Sequence, residues 1–259
     1  MPDFCSPAIM LRAIHYGDHD SIVTFFALEY GKITLIAKGA RKSLKRFAGV
    51  LELFSALNLV WTDRRGRGLP ILKEASVICP FEKLRTNITR TAYASYWCEL
   101  VYQWMQQGEK QVFVYQLLNH VLNELNRGDI PAEILHVAFQ LHFMQINGFA
   151  PTLDRCIACE RPLDQFKDAG VSFKIKQGGI SCRACGPCKA GELPLSKGTV
   201  KHLRWILNTP LIKLDRIKFS RQAVNESCRV LEAFIPCHLG QETKSLKLLK
   251  EFCNLGSHC

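Results

Sequence analysis

The first 80 residues alternate apolar and polar positions in short runs, a pattern typical of β-strands with one buried face. Ile33 and Leu35 share one predicted strand face, and Leu57, Leu59 and Trp61 share another. Glycine-containing turn signals separate the runs. Five strands are predicted, at Ala8–Ile14, Ser21–Leu28, Gly31–Ala37, Leu51–Trp61 and Leu69–Ile78.

Five short strands in so few residues favour a small closed barrel, because closure leaves no exposed strand edge. An OB-type barrel over residues 1–80 is the simplest arrangement that fits. A five-stranded SH3-like barrel or an open meander fits the alternation nearly as well.

After Phe81 the apolar residues recur every three to four positions, which predicts helices. Glycine or proline marks most of the helix ends. The predicted helices cover 81–108, 110–126, 131–148, 196–207 and 220–235. The fold class is therefore α+β, an N-terminal OB-type β-barrel followed by a mostly α-helical domain over 81–259. That domain is interrupted at 152–190 by a cysteine-rich module.

The cysteine-rich module has the spacing of a zinc site. Two Cys-x-x-Cys pairs, Cys156 with Cys159 and Cys182 with Cys185, are separated by 22 residues. Such pairs supply four thiolates to one tetrahedral ion. We predict one structural zinc ion, because four cysteines leave no open position for catalysis. Cys188 remains an alternative to Cys185.

The other cysteines are scattered along the chain, and packed or terminal thiols are expected there. A redox Cys-x-x-Cys is disfavoured because no thioredoxin-like context surrounds the pairs. The helical histidines His120, His136 and His142 are assigned no chemical role. The scattered cysteines are Cys5, Cys79, Cys98, Cys228, Cys237, Cys253 and Cys259.

The charge of the chain points to nucleic acid. Its 34 Lys and Arg against 23 Asp and Glu give a formal net charge of +11. Residues 32–46 contain six basic side chains and no acidic one, and a second basic loop follows at 64–67. Cationic loops on a β-barrel suit single-stranded nucleic acid. The predicted DNA-binding residues are Lys32, Lys38, Arg41, Lys42, Lys45, Arg46, Arg64, Arg65 and Arg67. A solubilising role for these loops is the alternative, with Lys244, Lys247 and Lys250 then the better candidates.

Several classes of protein are disfavoured by the absence of their motifs. The sequence has no long apolar run, no secretory signal, no phosphate-binding glycine loop and no catalytic zinc motif. Asp18 and Asp20 lack the further acidic pair that a metal-dependent nuclease would need. A cytoplasmic protein that is not an enzyme is therefore expected.

Short segments in a fixed order resemble the bacterial RecO family of DNA repair proteins, and the resemblance spans nearly the whole chain. The family's usual glutamate in the first turn is Asp18 here, a conservative change. The matching segments are Ile22–Ala27, Gly31-Lys32, Ala37–Arg41, Leu51–Phe54, Gly148–Pro151, Leu153–Cys159, Gly178–Cys185, His238–Gly240 and Ser245–Lys247.

The resemblance implies an OB-fold, a helical domain and an embedded zinc module. It also implies binding of single- and double-stranded DNA, annealing of complementary strands and partnership with RecR. Contact with the tail of the single-stranded-DNA-binding protein, help in loading RecA, and association with the nucleoid during repair are further implied. No membrane partner is expected. An RNA-binding OB and zinc protein, or a zinc-dependent nucleic-acid hydrolase, are the alternatives.

Overall fold

A computed structural model describes residues 3–42, 47–64, 68–168, 170–216 and 218–255. The chain divides into two compact units. The first comprises residues 1–126 and 247–259, and the second comprises residues 127–246. In the described ranges, no helix combines the length and the apolar character needed to cross a membrane.

The N-terminal strands form a closed five-stranded barrel. The order around the barrel is β1-β2-β3-β5-β4, and β4 pairs with β1 to close it. The bounds are Asp3–Tyr16 for β1, Asp20–Ala27 for β2, Gly31–Ala37 for β3, Ala56–Thr62 for β4 and Ile71–Cys79 for β5.

The pairing of β3 with β5 decides between the barrel types left open by the sequence. These strands run parallel, with Ile36 opposite Ile71, whereas every other pair in the barrel is antiparallel. A meander joins only consecutive strands, so it cannot contain this pair. The strand order is that of an OB-fold.

The barrel core follows from the alternation along the strands. Ile33 and Leu35 of β3 face inwards with Leu57, Leu59 and Trp61 of β4, as predicted. Each fully buried large apolar side chain stabilises the fold by about 1.5–3 kcal/mol.

The fourth strand starts five residues later than predicted, at Ala56 instead of Leu51. Phe54 has φ of 73°, which an extended strand cannot contain. Its backbone N–H still donates to the Met10 carbonyl oxygen at 3.0 Å. The apolar residues 51–54 therefore form an irregular segment before the strand.

The helix predicted over 81–108 is two helices, α1 (Glu82–Thr86) and α2 (Ile88–Trp104). Asn87 between them is extended, and its side-chain oxygen accepts the Arg90 backbone N–H at 3.0 Å. An asparagine that caps the backbone in this way starts a new helix. The spacing of apolar residues continues across Asn87, so the hydrophobic pattern alone does not reveal the break. The next helix, α3 (Val112–Arg127), lies close to its predicted position.

The second unit combines helices with a small antiparallel sheet in the order β7-β6-β8. The sequence pattern predicts neither β8 nor the last helix, α7. Strand β6 covers Gly170–Lys174. The remaining bounds are Ala132–Ile146 for α4, Gly179–Cys182 for β7, Glu192–Ser196 for β8, Lys197–Leu207 for α5, Arg221–Leu239 for α6 and Lys244–Leu255 for α7.

Candidate functional site

Two tight turns present the four paired cysteines. Cys156 and Cys159 lie in a turn in which the Glu160 N–H donates to the Cys156 carbonyl oxygen at 2.9 Å. Cys182 is the last residue of β7, and Cys185 ends the short 3₁₀ turn that follows. The sheet and the turns thus bring two distant pairs together.

The sulfur atoms of these cysteines have the spacing of a tetrahedron. All four lie within 4.8 Å of one another. The Sγ–Sγ distances are 3.8 Å for Cys156–Cys185, 3.7 Å for Cys159–Cys182 and 3.5 Å for Cys182–Cys185. A tetrahedron with zinc–sulfur bonds of about 2.3 Å has edges of about 3.8 Å. The four-sulfur cluster therefore fits a zinc ion.

Backbone amides prepare the cluster for negative charge. The N–H groups of Cys182 and Ala158 donate to the Cys156 sulfur at 3.3 and 3.4 Å. Burial raises the pKa of Cys156, but these donors and the Cys159 N–H outweigh it and lower the pKa to about 6. Thiolate is the form that binds metal.

Cys185 shows the opposite tendency. Hydrogen bonds with Cys159 and then Cys182, followed by burial, raise the pKa of its thiol to about 12. Sulfurs this close cannot all ionise without a cation between them, because adjacent thiolates repel. The cluster therefore has the chemistry of a site that is completed by a metal ion.

A glycine allows the two cysteine turns to approach. A Cβ atom on Gly179 would lie 2.4 Å from Cγ2 of Ile157 and 3.2 Å from Cβ of Thr152. The backbones meet here, since the Ile157 N–H donates to the Ile180 carbonyl oxygen at 2.9 Å. Cys188 is exposed and lies outside the four-sulfur cluster.

Three of the predicted DNA-binding residues form one exposed group after β3. Lys38, Arg41 and Lys42 are all exposed. The segment is held in place because the Gly39 N–H donates to a carboxylate oxygen of Asp20 at 2.7 Å. The Arg41 N–H also donates to the His19 carbonyl oxygen at 3.0 Å. These bonds tie the basic segment to the β1–β2 turn.

A cavity of about 620 Å³ opens beside this basic group. Arg41 lines it together with Ile14, His15 and Phe47. Ile14 is 43% exposed, although it is a large apolar residue on a strand. The sequence pattern assigns no function to Ile14 or His15. Only the barrel geometry places them beside Arg41.

Lys32 has a different environment from the exposed basic group. Its Nζ donates to the Tyr102 carbonyl oxygen at 2.7 Å and lies 5.0 Å from the centre of the Tyr102 ring. Burial lowers the pKa of Lys32, and the nearby Tyr102 opposes this effect. Lys32 therefore connects β3 to α2, and its amine is engaged within the fold.

The other predicted DNA-binding residues belong to two loops. Arg64 is half-buried at the end of the segment that follows β4. Four more, Lys45, Arg46, Arg65 and Arg67, lie outside the described residues.

Comparison with known proteins identifies the family. The family model described as recombination protein O N terminal matches residues 1–81, and the one described as recombination protein O C terminal matches residues 85–247. The chain belongs to the RecO family. Its membership assigns it a role in DNA repair and recombination.

Individual RecO proteins match along almost their full length. The DNA repair protein RecO of Desulfatibacillum aliphaticivorans is 40% identical over 252 residues, covering 97% of this chain and 98% of the relative. That of Desulfosudis oleivorans is 41% identical over 255 residues, covering 96% and 98%. That of Syntrophus aciditrophicus is 37% identical over 249 residues, covering 95% of each.

Proposed function

We propose that this member of the RecO family is a DNA-binding recombination mediator without catalytic activity. It binds single- and double-stranded DNA through phosphate contacts and anneals complementary strands. The exposed group of Lys38, Arg41 and Lys42 beside the barrel cavity is the observation that supports this proposal most directly.

The contacts of the basic group suit recognition of a backbone. Its side chains are exposed cations on a segment whose backbone N–H groups are held by hydrogen bonds. They therefore contact phosphates without any rearrangement of this segment. Ile14, which is 43% exposed in the lining of the adjacent cavity, offers apolar contact to a base without hydrogen-bond readout. Binding of this kind is independent of base sequence.

Annealing of complementary strands follows from neutralisation of their phosphate charges. Two complementary strands repel through their phosphates, and bound cations lower that repulsion. Because the contacts are to phosphates, the base edges stay available for pairing. We extend the proposal to the partners implied by the family, namely RecR, the tail of the single-stranded-DNA-binding protein and, indirectly, RecA.

We also propose that three parts of the chain have different roles. Residues 1–80 bind nucleic acid, residues 81–259 form the helical domain, and the module at 152–190 holds one zinc ion. Cys156, Cys159, Cys182 and Cys185 are its proposed ligands, and the tetrahedral spacing of their sulfurs supports this. A fully thiolate-ligated ion has no open position, so its role is structural.

The decisive experiment measures single-stranded DNA affinity against salt concentration. Reversing charge in an Arg41→Glu, Lys42→Glu double variant should weaken binding to any base sequence. Each lost phosphate contact should make the slope of log affinity against log salt about 0.7 shallower. Annealing by the wild type should proceed without ATP or added metal.

A matched control distinguishes the effect of where the positive charges lie from the effect of the protein's net charge. Lys213→Glu with Lys218→Glu removes the same charge from two exposed lysines of the second unit. It should retain the wild-type slope. Equal losses in both double variants, or an unchanged slope in the Arg41 and Lys42 variant, would contradict the proposed site.

A further inference from the structure

Three donor atoms of different kinds meet in the second unit, in residues that the zinc module does not use. His136 of α4 and Cys228 and Glu232 of α6 each place one ligand atom within 4.8 Å of the others. His136 is 1% exposed, and the Glu232 side chain is 13% exposed. We call these three residues the α4–α6 cluster.

The helical spacing explains how the cluster forms. Cys228 and Glu232 are four residues apart on α6, so both side chains lie on the same face of the helix. His136 reaches them from α4, which is packed against α6. This arrangement of an i, i+4 pair facing a histidine places three donors around one point.

The separation of two donors fits a bridging ion better than a hydrogen bond. His136 Nε2 and Glu232 Oε1 are 3.5 Å apart, whereas an N–H···O hydrogen bond is about 2.9 Å long. A tetrahedral zinc ion with ordinary bond lengths holds a nitrogen and a carboxylate oxygen about 3.4 Å apart.

A second buried polar side chain, Gln140, contacts the same histidine nitrogen. Gln140 is completely buried, and its amide nitrogen lies 2.5 Å from His136 Nε2. Within the described part of the chain, the amide oxygen of Gln140 has no hydrogen-bond partner. A buried carbonyl oxygen without a partner costs about 1–3 kcal/mol. Gln140 is therefore close enough to orient the His136 ring, but 2.5 Å is too short for its amide and His136 Nε2 to share one tetrahedral ion.

The charges of the donors also match a divalent cation. A Cys thiolate and a Glu carboxylate each carry one negative charge, and a neutral imidazole carries none. Together with a divalent ion they form a neutral group, which avoids the penalty of burying net charge. Nitrogen and sulfur donors select zinc or cobalt over magnesium or calcium.

From this geometry we propose a second metal site, in which His136, Cys228 and Glu232 bind one zinc-like divalent ion. The ion cross-links α4 to α6 and stabilises the second unit. This site is independent of the four-cysteine cluster and of the proposed DNA-binding surface.

Metal content of the full-length protein tests the proposal. After equilibration with zinc and gel filtration, mass spectrometry should find two zinc ions per wild-type chain. Cys228→Ser and Glu232→Gln should each bind one. These two positions are partly exposed, so the variants should retain the helical circular dichroism of the wild type. Cys237→Ser, at an exposed cysteine of the same helix, is the matched control and should bind two.

Cobalt gives a second readout in the same protein. Cobalt added to chains holding one zinc ion should produce a thiolate-to-cobalt charge-transfer band, and Cys228→Ser should lack it. One zinc ion per wild-type chain would overturn the proposal. So would two ions, or an unchanged cobalt band, in the Cys228→Ser variant.

Discussion

The turn between β2 and β3 depends on a glycine, Gly31, that has a positive φ and a close backbone neighbour. Gly31 has φ of 61°, and a Cβ atom there would lie 1.8 Å from the Glu109 carbonyl oxygen. Next to this contact, the Gly108 N–H donates to the Lys32 carbonyl oxygen at 2.9 Å. The barrel and the segment that precedes α3 therefore meet backbone to backbone at this point, beside the ion pair between Lys110 and Glu29.

Gly31→Ala should be strongly destabilising for two separable reasons. The left-handed conformation costs an alanine about 1–2 kcal/mol. The clash must also move the Glu109 backbone, which sacrifices the neighbouring hydrogen bond and packing for about 1–3 kcal/mol more. The expected loss in the free energy of unfolding is about 2–5 kcal/mol.

Gly17→Ala isolates the conformational cost. Gly17 has nearly the same φ, 59°, and no atom lies within 4 Å of its Cβ position. Urea denaturation followed by circular dichroism should give a loss of about 1–2 kcal/mol for this variant. If the two variants lose the same stability, the contact at Glu109 contributes nothing and the reasoning is refuted.

Three further outcomes are expected. Burial raises the pKa of Glu226, but hydrogen bonds from Thr199, Ser196 and Gln222 outweigh it and keep the pKa below its ordinary 4.5. The stabilisation of the fold by this carboxylate is therefore complete above pH 4.5 and is lost as pH falls through the folded pKa. Glu226→Gln should lose about 1–2 kcal/mol of stability at pH 7, and its melting temperature should fall less than that of the wild type as the pH is lowered. Lys32→Met should lower stability by about 1 kcal/mol yet leave the salt slope of DNA binding unchanged in titrations, and a shallower slope would return Lys32 to the DNA site. Cys156→Ser should lose the proposed structural zinc and melt at lower temperature, and an unchanged metal content would contradict the ligand assignment.

Local pattern determined most of the elements and the four-cysteine cluster. The alternation of Ile33 and Leu35 is enough to orient β3, because each strand residue faces one side only. The Cys-x-x-Cys spacing is enough to predict a four-sulfur cluster, because each pair is a local unit whose reach is short. The orientation of β3 and the turn of each cysteine pair are local, whereas the meeting of the two pairs depends on the sheet between them.

Tertiary structure alone decided the features that depend on long-range pairing. No local signal predicts that β3 pairs with β5, because that contact is made by residues 35 positions apart, Ile36 and Ile71. The same holds for the environment of Lys32, because only the fold places its amine against the Tyr102 carbonyl oxygen. The sequence alone identifies His136 only as a helical histidine, because Cys228 and Glu232 are brought beside it by the packing of α6. The sequence determines which chemical groups the side chains carry, and tertiary packing determines which groups they contact.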